Sequence, residues 1–421
     1  MRVTGTRAWV SAACAALAAV LVGVGMAGCM GNGNNNASAV GCGLANNAVP
    51  GPAPAAGSEF LFVPNALCAP GVTNDVMSVL VLDPASATFN NGPTPLVETG
   101  NEPVWATVDP TNHFVYVTNF ADNTVSAFTL DTATGAMGVV PGSPFLAGVG
   151  PAAAAVDPSG KFLYVANQGG VVNNVVFPGS ISGYTITPGT GVLTPVPDSP
   201  FTTATPLSPQ QGIAVTAGFV YVSNSNVNNI ALSNSVSVFS FDDTGSLTQL
   251  ATSPFTLAPA VNPQPESLAM DPAGKFLFTA NMTSDNISAF TVNAGALSQV
   301  AGSPFSELAP LNLALDSSQY LTTDRTGSFL YVVNVGNNTV TSYTITPVTG
   351  VLGEEFQSSA TGNAPEGIAV DAANKFLMVA NFDDGTVSVY EINNANGNLT
   401  ALGPLVSNAI IAAPQMVATT H

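Results

Sequence analysis

Apolar residues in this chain recur in short runs and not at helical spacing. One kind of run is apolar at almost every position and ends at an asparagine, as in Phe114–Asn119 and Phe162–Asn167. A strand of that kind is typical of a sheet covered on both faces. Seven such runs occur, ending at Asn65, Asn119, Asn167, Asn224, Asn281, Asn334 and Asn381. Their spacing of about fifty residues predicts a propeller or solenoid built from seven units.

Each unit carries the pattern of three more strands around this run. A strand led by proline precedes it, as in Pro151–Asp157, and a strand such as Thr124–Leu130 follows it. A turn such as Thr134-Gly135 then leads to the fourth. The strands are rich in β-branched and aromatic residues, and turn-forming residues separate them. The predicted fold is therefore all-β, a seven-bladed β-propeller of four-stranded blades.

The two ends of the repeat array predict how the ring closes. The first unit, at Phe60, has no proline-led strand before it, whereas an unmatched one occurs at Pro414–Thr419. We expect the C-terminal strand to become the innermost strand of blade one, because this pairs edges that would otherwise be exposed.

Residues 1–29 have the pattern of an export signal. Arg2 and Arg7 precede an apolar stretch that ends at Met26-Ala-Gly-Cys29. This ending resembles a bacterial lipobox, which implies cleavage before Cys29 and lipid attachment to its thiol, so that the acyl chains bind the membrane. The alternative is an uncleaved transmembrane anchor. Because Met30 is not aspartate, the resemblance implies an outer-membrane lipoprotein facing the periplasm or the cell surface.

Residues 30–58 are rich in Asn, Gly, Ala and Pro without periodicity, which predicts a flexible tether, and residues 59–421 form the propeller. Cys42 and Cys68 remain once Cys14 and Cys29 are assigned to the signal and the lipid. In an oxidising compartment they can form a disulfide, and the alternative is two free thiols.

The formal charge of −19 excludes some partners. Only six Lys and Arg residues stand against 25 Asp and Glu residues. So acidic a chain is unsuited to nucleic acid or to an anionic membrane surface.

The Tyr-Val-Thr-Asn run ending at Asn119, its six relatives and junctions such as Gly142–Phe145 resemble YVTN β-propeller repeats. They are also similar to the lactonase family of seven-bladed propellers, whose namesakes open 6-phosphogluconolactone. The resemblance covers residues 59–421 and implies the fold. For activity it implies acidic, His and Arg residues near the central channel.

The charged residues depart from that expectation. From residue 59 onward, the Lys and Arg residues fall in turns between first and second strands, at Lys161, Lys275, Arg325 and Lys375. His113 has the equivalent place in blade two, and His421 is the last residue. The opposite rim, where propellers generally bind ligands, thus lacks the cations that a phosphorylated lactone requires. A phosphorylated substrate is therefore not expected.

That rim does carry carboxylates and amides. Glu266 and Glu366 follow strand-leading prolines, Gln210 and Gln415 are assigned to the same position in other blades, and Glu102 precedes Pro103. The two glutamates are the candidate catalytic residues, and Glu102, Gln210 and Gln415 are candidate binding residues. The alternative is a solvated rim that binds nothing.

Two functions remain open. The sequence favours a non-catalytic module that binds a polysaccharide, a small molecule or a protein with this rim. The alternative is a hydrolase of an uncharged lactone, with Glu266 and Glu366 as acid and base. No cofactor motif occurs. Ca²⁺ at Asp122-Asn123, Asp242-Asp243 or Asp383-Asp384 is the weaker alternative to ordinary acidic turns, because none has EF-hand spacing.

Overall fold

The computed structural model describes residues 50–51, 54, 58–66, 75–83, 88–172, 175–202, 210–225, 234–257, 263–306, 318–354, 356–403 and 414–421. The expected signal, most of the expected tether, and the residues Cys29, Cys42 and Cys68 lie outside these ranges. Lipidation and the disulfide therefore stay predictions. Within the described ranges, no helix is long and apolar enough to span a membrane.

The strands follow one another in chain order, blade by blade. Blade one contains β1 (Glu59–Asn65), β2 (Val76–Asp83) and β3 (Thr88–Glu98). Blade two contains β4 (Pro103–Val108), β5 (Phe114–Asn119), β6 (Thr124–Leu130), β7 (Met137–Val139) and β8 (Phe145–Leu146). Blade three contains β9 (Pro151–Val156), β10 (Phe162–Asn167), the separate hairpin β11 (Gly170–Val172) and β12 (Val175–Phe177), then β13 (Ser180–Ile186), β14 (Leu193–Pro195) and β15 (Phe201–Thr202).

The remaining blades repeat the arrangement. Blade four contains β16 (Gln210–Thr216), β17 (Phe219–Asn224), β18 (Ser235–Phe241), β19 (Leu247–Gln249) and β20 (Phe255–Thr256). Blade five contains β21 (Pro265–Met270), β22 (Phe276–Asn281), β23 (Asn286–Asn293), β24 (Ala296–Gln299) and β25 (Phe305–Ser306). Blade six contains β26 (Ser318–Thr323), β27 (Phe329–Asn334), β28 (Thr339–Thr344) and β29 (Gln357–Ala360). Blade seven contains β30 (Pro365–Val370), β31 (Phe376–Asn381), β32 (Thr386–Ile392) and β33 (Leu399–Ala401), and β34 (Ala418–Thr419) follows.

Each blade is an antiparallel sheet, and the seven blades form a ring, which confirms the predicted propeller. The predicted closure is also confirmed, because β34 pairs with β1 and lies between the innermost strands of blades seven and two. Val417, just before β34, is fully buried against residues of blades one and seven. The closing strand thus joins the two ends of the array through an apolar core.

The strand-ending asparagines are fixed by hydroxyl groups of the third strand. The Asn119 amide nitrogen lies 2.9 Å from both Thr124 Oγ1 and Ser126 Oγ, to which it donates. Asn167 and Asn224 donate in the same way to a pair of hydroxyls on their own third strands. These bonds satisfy the buried amide nitrogens and fix the end of these blades where the innermost strand begins.

The Ser-Pro-Phe segments differ from the four-strand prediction. In blades two to five they begin a short fifth strand. This strand pairs with the third strand of the blade, as the fourth strand does, but with a different part of it. Ser143 Oγ accepts a hydrogen bond of 2.9 Å from the Ala127 amide, and Ser199, Ser253 and Ser303 do the same in their blades. The serine thus satisfies the third-strand amide between the two short partner strands.

Candidate functional site

A β-bulge opens the innermost strand of blades two to seven, at the rim of the central channel. In blade five, Pro265 pairs with Asn281 and Ser267 pairs with Ala280, so Glu266 is the extra residue. Val104 in blade two, Ala152 in blade three and Gln319 in blade six are extra in the same way. We call these positions, with Gln211, Glu366 and Gln415 in the other blades, the bulge ring. Bulges commonly re-aim side chains beside functional sites.

The register corrects one residue of the predicted rim. Gln210 pairs with Asn224, which is the pairing that Pro265 makes with Asn281 in blade five. The position equivalent to Glu266 is therefore Gln211, and the assignment of Gln210 was wrong by one residue. Blade four lacks a proline at the pairing position, so the sequence pattern led to the wrong alignment there. Gln415 has the predicted position, because Pro414 bridges Asn65.

Glu266 is held in a sheltered site beside the loop that follows blade four's second strand. Ser225, itself fully buried, places its Oγ 3.4 Å from Glu266 Oε1. Burial raises the pKa of Glu266 to about 7, and the Ser225 hydrogen bond opposes this rise. A carboxyl group with this pKa is partly ionised near neutral pH.

Glu366 lies at the same channel end, two blades away. Its Oε2 atom is buried and has no hydrogen-bond partner among the described residues. Burial, and then the negative charge of Asp383, raise the pKa of Glu366 to about 8. A buried carboxyl oxygen without a partner is uncommon in folded proteins and suggests a place where a ligand can bind.

Two aromatic side chains close the channel beside these carboxyls. Trp105 and Tyr320 have the same register, each pairing one residue before the strand-ending asparagine of its blade. Their ring centroids are 6.4 Å apart. Because blades two and six lie on nearly opposite sides of a seven-membered ring, this pair spans the channel. The residues at that register in blades three, four, five and seven are small, namely Ala153, Gly212, Ser267 and Gly367.

Tyr320 brings the two carboxyls into one site. Its pKa is raised by burial, then by the negative charges of Glu366 and Glu266. Blades five, six and seven are consecutive, so the tyrosine is flanked by a glutamate on each side. Trp105 and Tyr320 were not among the predicted site residues, although the aligned strands contain the signal, which is a large aromatic residue at a register where most blades have a small one.

Glu102 lies at the same rim, two residues before the bulge position Val104. Its backbone is left-handed, with φ of 51°, and its amide donates a 2.8 Å hydrogen bond to Asp75 Oδ2. Burial and the Asp75 charge raise the pKa of its half-buried carboxyl. The structure thus places Glu102 in blade two, across the ring from Glu266.

The basic side chains lie at the opposite channel end. Each follows the aspartate that ends an innermost strand, and Lys161 donates a 2.5 Å hydrogen bond to the Asp243 carbonyl. Arg325 Nη2 donates to the Val370 carbonyl at 2.9 Å. His421 is also at that end, with Nε2 3.3 Å from the Val108 carbonyl oxygen. From residue 50 onward, the site with Glu266 and Glu366 therefore has no Lys, Arg or His beside it.

The described ranges contain no cluster of three His, Cys, Asp or Glu side chains that could hold a metal ion. Two of the acidic turns considered for Ca²⁺ have structural partners instead. Asp122 accepts hydrogen bonds of 2.8 and 2.9 Å from Asn101, and Asp242 accepts from Thr244 and Ser246.

The fold and the site together define a propeller with two half-buried carboxyls at one channel end and an aromatic pair that meets across the channel. The family model described as lactonase, 7-bladed beta-propeller, matches residues 63–232, 202–306 and 317–408. The chain belongs to this family.

Individual relatives are more distant. The chain is 25% identical over 151 residues to a 6-phosphogluconolactonase of Bacillus subtilis, covering 34% of this chain and 41% of that protein. The match thus spans less than half of the relative's length. A periplasmic gluconolactonase of Pseudomonas aeruginosa superposes with a TM-score of 0.69 at 17% identity, covering 86% of this chain and 99% of its own. A Lactobacillus plantarum protein gives 0.67 at 20% identity, covering 86% and 99%. These similarities show the fold.

Proposed function

We propose that this protein hydrolyses an uncharged lactone in the channel above Trp105 and Tyr320. The observation that carries the proposal is the pair Glu266 and Glu366, which occupy equivalent positions at one channel end, with the Oε2 atom of Glu366 buried and without a hydrogen-bond partner among the described residues. Family membership supports hydrolysis over the purely binding role that the sequence favoured.

The environments of the two carboxyls suit different roles. Near pH 7.5 the Glu266 carboxyl, with a pKa of about 7, is mostly ionised, whereas Glu366, with a pKa of about 8, is mostly protonated. Pairs of carboxyls with separated pKa values are a common arrangement for acid and base catalysis. We assign Glu266 as the base, because it accepts a hydrogen bond from Ser225, and Glu366 as the acid, because its Oε2 atom has no hydrogen-bond partner among the described residues.

The reaction follows from these roles. Glu266 accepts a proton from water as the water oxygen bonds to the lactone carbonyl carbon. The bond between that carbon and the ring oxygen then breaks, and Glu366 donates its proton to the departing ring oxygen. The product is a hydroxy acid, and proton exchange with solvent restores both carboxyls. At neutral pH the product ionises and releases one proton.

Tyr320 is the candidate donor to the developing oxyanion. Because its pKa is raised, the phenol stays protonated throughout the working range. A neutral hydroxyl donor between the acid and the base can stabilise the negative charge that forms on the carbonyl oxygen. The family resemblance implied Arg or His near the channel, and here Tyr320 would stabilise the oxyanion in their place.

The charge of the site limits the substrate. With no cationic side chain beside Glu266 and Glu366, a phosphate group would face two carboxyl groups without a positive charge to bind it. We therefore infer an uncharged substrate, unlike 6-phosphogluconolactone.

The periplasmic location named for the Pseudomonas aeruginosa relative agrees with the export signal, and we propose an exported protein held at the outer membrane through Cys29.

The test is hydrolysis followed by pH-stat, with gluconolactone, γ-butyrolactone and 6-phosphogluconolactone as substrates. We expect turnover of at least one uncharged lactone above the spontaneous rate and little or none of the phosphorylated one. Glu266→Gln and Glu366→Gln should each lower kcat by about 10²- to 10⁴-fold.

Glu391→Gln is the matched control, because Glu391 is an exposed carboxylate in the third strand of blade seven. It should leave kcat unchanged. Absence of turnover by the folded wild-type protein would reject the lactonase and leave the binding module.

A further inference from the structure

The hairpin of blade three is an exposed apolar element at the candidate-site end of the propeller. β11 and β12 pair only with each other, with Val171 opposite Val176. Val175 and Val176 expose 55% and 59% of their surface, and Phe177 exposes 41%. Exposed apolar residues in one contiguous patch commonly mark a binding surface.

The base of the hairpin is attached to the start of the innermost strand of its own blade. The Gln168 amide donates to the Gly150 carbonyl at 2.8 Å, and the Gly169 amide donates to the Val149 carbonyl at 2.9 Å. A side chain at Gly170 would lie 3.5 Å from Val149 Cγ1. Val149 is thus the apolar residue between the hairpin and the bulge ring.

The bulge ring has an apolar sector on this side. Blades two and three contribute Val104 and Ala152, whereas the other five blades contribute only glutamine or glutamate. The polar sector comprises Gln211, Glu266, Gln319, Glu366 and Gln415. Val149 connects the apolar sector to the hairpin, whereas the two candidate carboxyls, Glu266 and Glu366, lie in blades five and seven.

The hairpin itself lies in an uncharged stretch of the chain. From residue 162 to residue 197 the chain contains no Asp, Glu, Lys or Arg. In a protein of net charge −19, an uncharged apolar surface is suited to a neutral ligand.

From this continuity we infer that the substrate is a lactone with an aliphatic substituent. Its lactone ring lies between Glu266 and Glu366, and its alkyl chain extends toward blade three to contact the exposed hairpin valines. The inference rests on the proposed lactonase function, whose substrate class it narrows. The alternative occupants of the hairpin are a membrane surface and a second copy of this chain.

The test compares γ-butyrolactone with γ-lactones of increasing alkyl length, at concentrations below micelle formation. For the wild-type full chain, kcat/KM should rise about two- to fourfold for each methylene that reaches the apolar surface. Val171→Ser/Val176→Ser should remove most of this increase and leave γ-butyrolactone hydrolysis unchanged. Val139→Ser is the matched control, because Val139 is 65% exposed on the short fourth strand of blade two, and it should keep the increase.

A binding measurement separates failure of this inference from failure of the lactonase proposal. Trp9 and Trp105 are the only tryptophans, so Trp9→Phe leaves Trp105 as the reporter of the channel. If no lactone is hydrolysed, the lactonase proposal fails. The inference about ligand chemistry then stands on binding alone. It requires that lactones with longer alkyl chains change Trp105 emission at lower concentrations than short ones do, and that the hairpin variant loses this dependence on chain length.

Equal kcat/KM for short and long lactones, or an increase that the hairpin variant retains, would overturn the inference while leaving the lactonase in place. Loss of binding to zwitterionic phosphatidylcholine vesicles in the hairpin variant, without a change in chain-length dependence, would assign the hairpin to a membrane surface. Loss of self-association without such a change would assign it to a second copy. Either of these results overturns the inference.

Discussion

The ring of Trp105 lies 6.4 Å from the ring of Tyr320, and the two residues belong to blades on nearly opposite sides of the channel. The pair gives the carboxyl site a floor, since small residues occupy the same register in four of the other blades. Without large aromatics at this register, the two glutamates would line an open channel. The aromatic pair therefore narrows the channel near the two carboxyls.

Trp105 should report the ionisation of the glutamates. In the full chain carrying Trp9→Phe, we expect its emission to change with pH, because its ring contacts Tyr320, whose pKa is raised by the charges of Glu366 and Glu266. The transitions should fall near pH 7 and 8, the raised pKa values of Glu266 and Glu366, and not near 4.5. Fluorescence titration measures this.

The matched variants are Glu266→Gln and Glu366→Gln, each of which should remove one transition. Glu391→Gln should remove neither. A single transition near pH 4.5 in every variant would show that the carboxyls are solvated like ordinary surface groups.

The same burial has a consequence for stability. In the folded protein the pKa of Glu366 is about 8, whereas in the unfolded chain it is about 4.5. The folded state thus holds more protons between these values, so the free energy of unfolding falls as pH rises through this window. Glu366→Gln removes this penalty.

We expect Glu366→Gln to raise the free energy of unfolding by about 1–3 kcal/mol at pH 9 and to leave it nearly unchanged at pH 4. Urea unfolding at the two pH values measures the difference. Destabilisation at pH 9 would show that the ionised carboxylate makes favourable contacts in the folded protein.

Packing between blades predicts a contrast between two glycines of one turn. Gly189 and Gly191 both have positive φ, 76° and 72°. An added Cβ at Gly191 would lie 2.3 Å from the Phe114 ring of the preceding blade, whereas Gly189 has open space. Gly189→Ala should cost about 1 kcal/mol for the left-handed backbone.

Gly191→Ala should cost about 1–3 kcal/mol more, because Phe114 must move. Thermal or denaturant unfolding of both variants gives the difference directly. Equal losses would mean that the interface between blades two and three relaxes freely around this turn.

Ring closure predicts that Val417 is needed for stability. It is fully buried against Leu61 and Met378, residues of blades one and seven. Val417→Asp should lower the free energy of unfolding by about 3–5 kcal/mol, because it places a charge in this apolar contact without a partner. Val348→Asp, at a residue 87% exposed, should change it by less than about 0.5 kcal/mol.

The sequence predicted the fold because each blade repeats the same local signals. The apolar runs ending at asparagine, the strand-leading prolines and the unmatched strand at Pro414 were sufficient for the blade number and for the closing strand. Apolar patterning determines which faces are buried, and in a repeat protein the same solution recurs in each unit.

The site was less accessible from sequence. Glu266 and Glu366 could be found because both follow strand-leading prolines, whereas Gln210 was misassigned where blade four lacks that proline. The importance of Trp105 and Tyr320 could not be derived from one blade alone. It depends on two residues 215 positions apart meeting across the channel, which only ring geometry brings about.

The central claim is that Glu266 acts as base and Glu366 as acid on an uncharged lactone. The most direct test is the pH dependence of kcat/KM, corrected for spontaneous hydrolysis, for the wild type and for Glu366→Gln. Our account predicts a bell-shaped profile with limbs near pH 7 and 8, and a Glu366→Gln variant with greatly reduced activity and no alkaline limb. A profile without these limbs, or a Glu366→Gln variant that keeps the wild-type profile and rate, would contradict it.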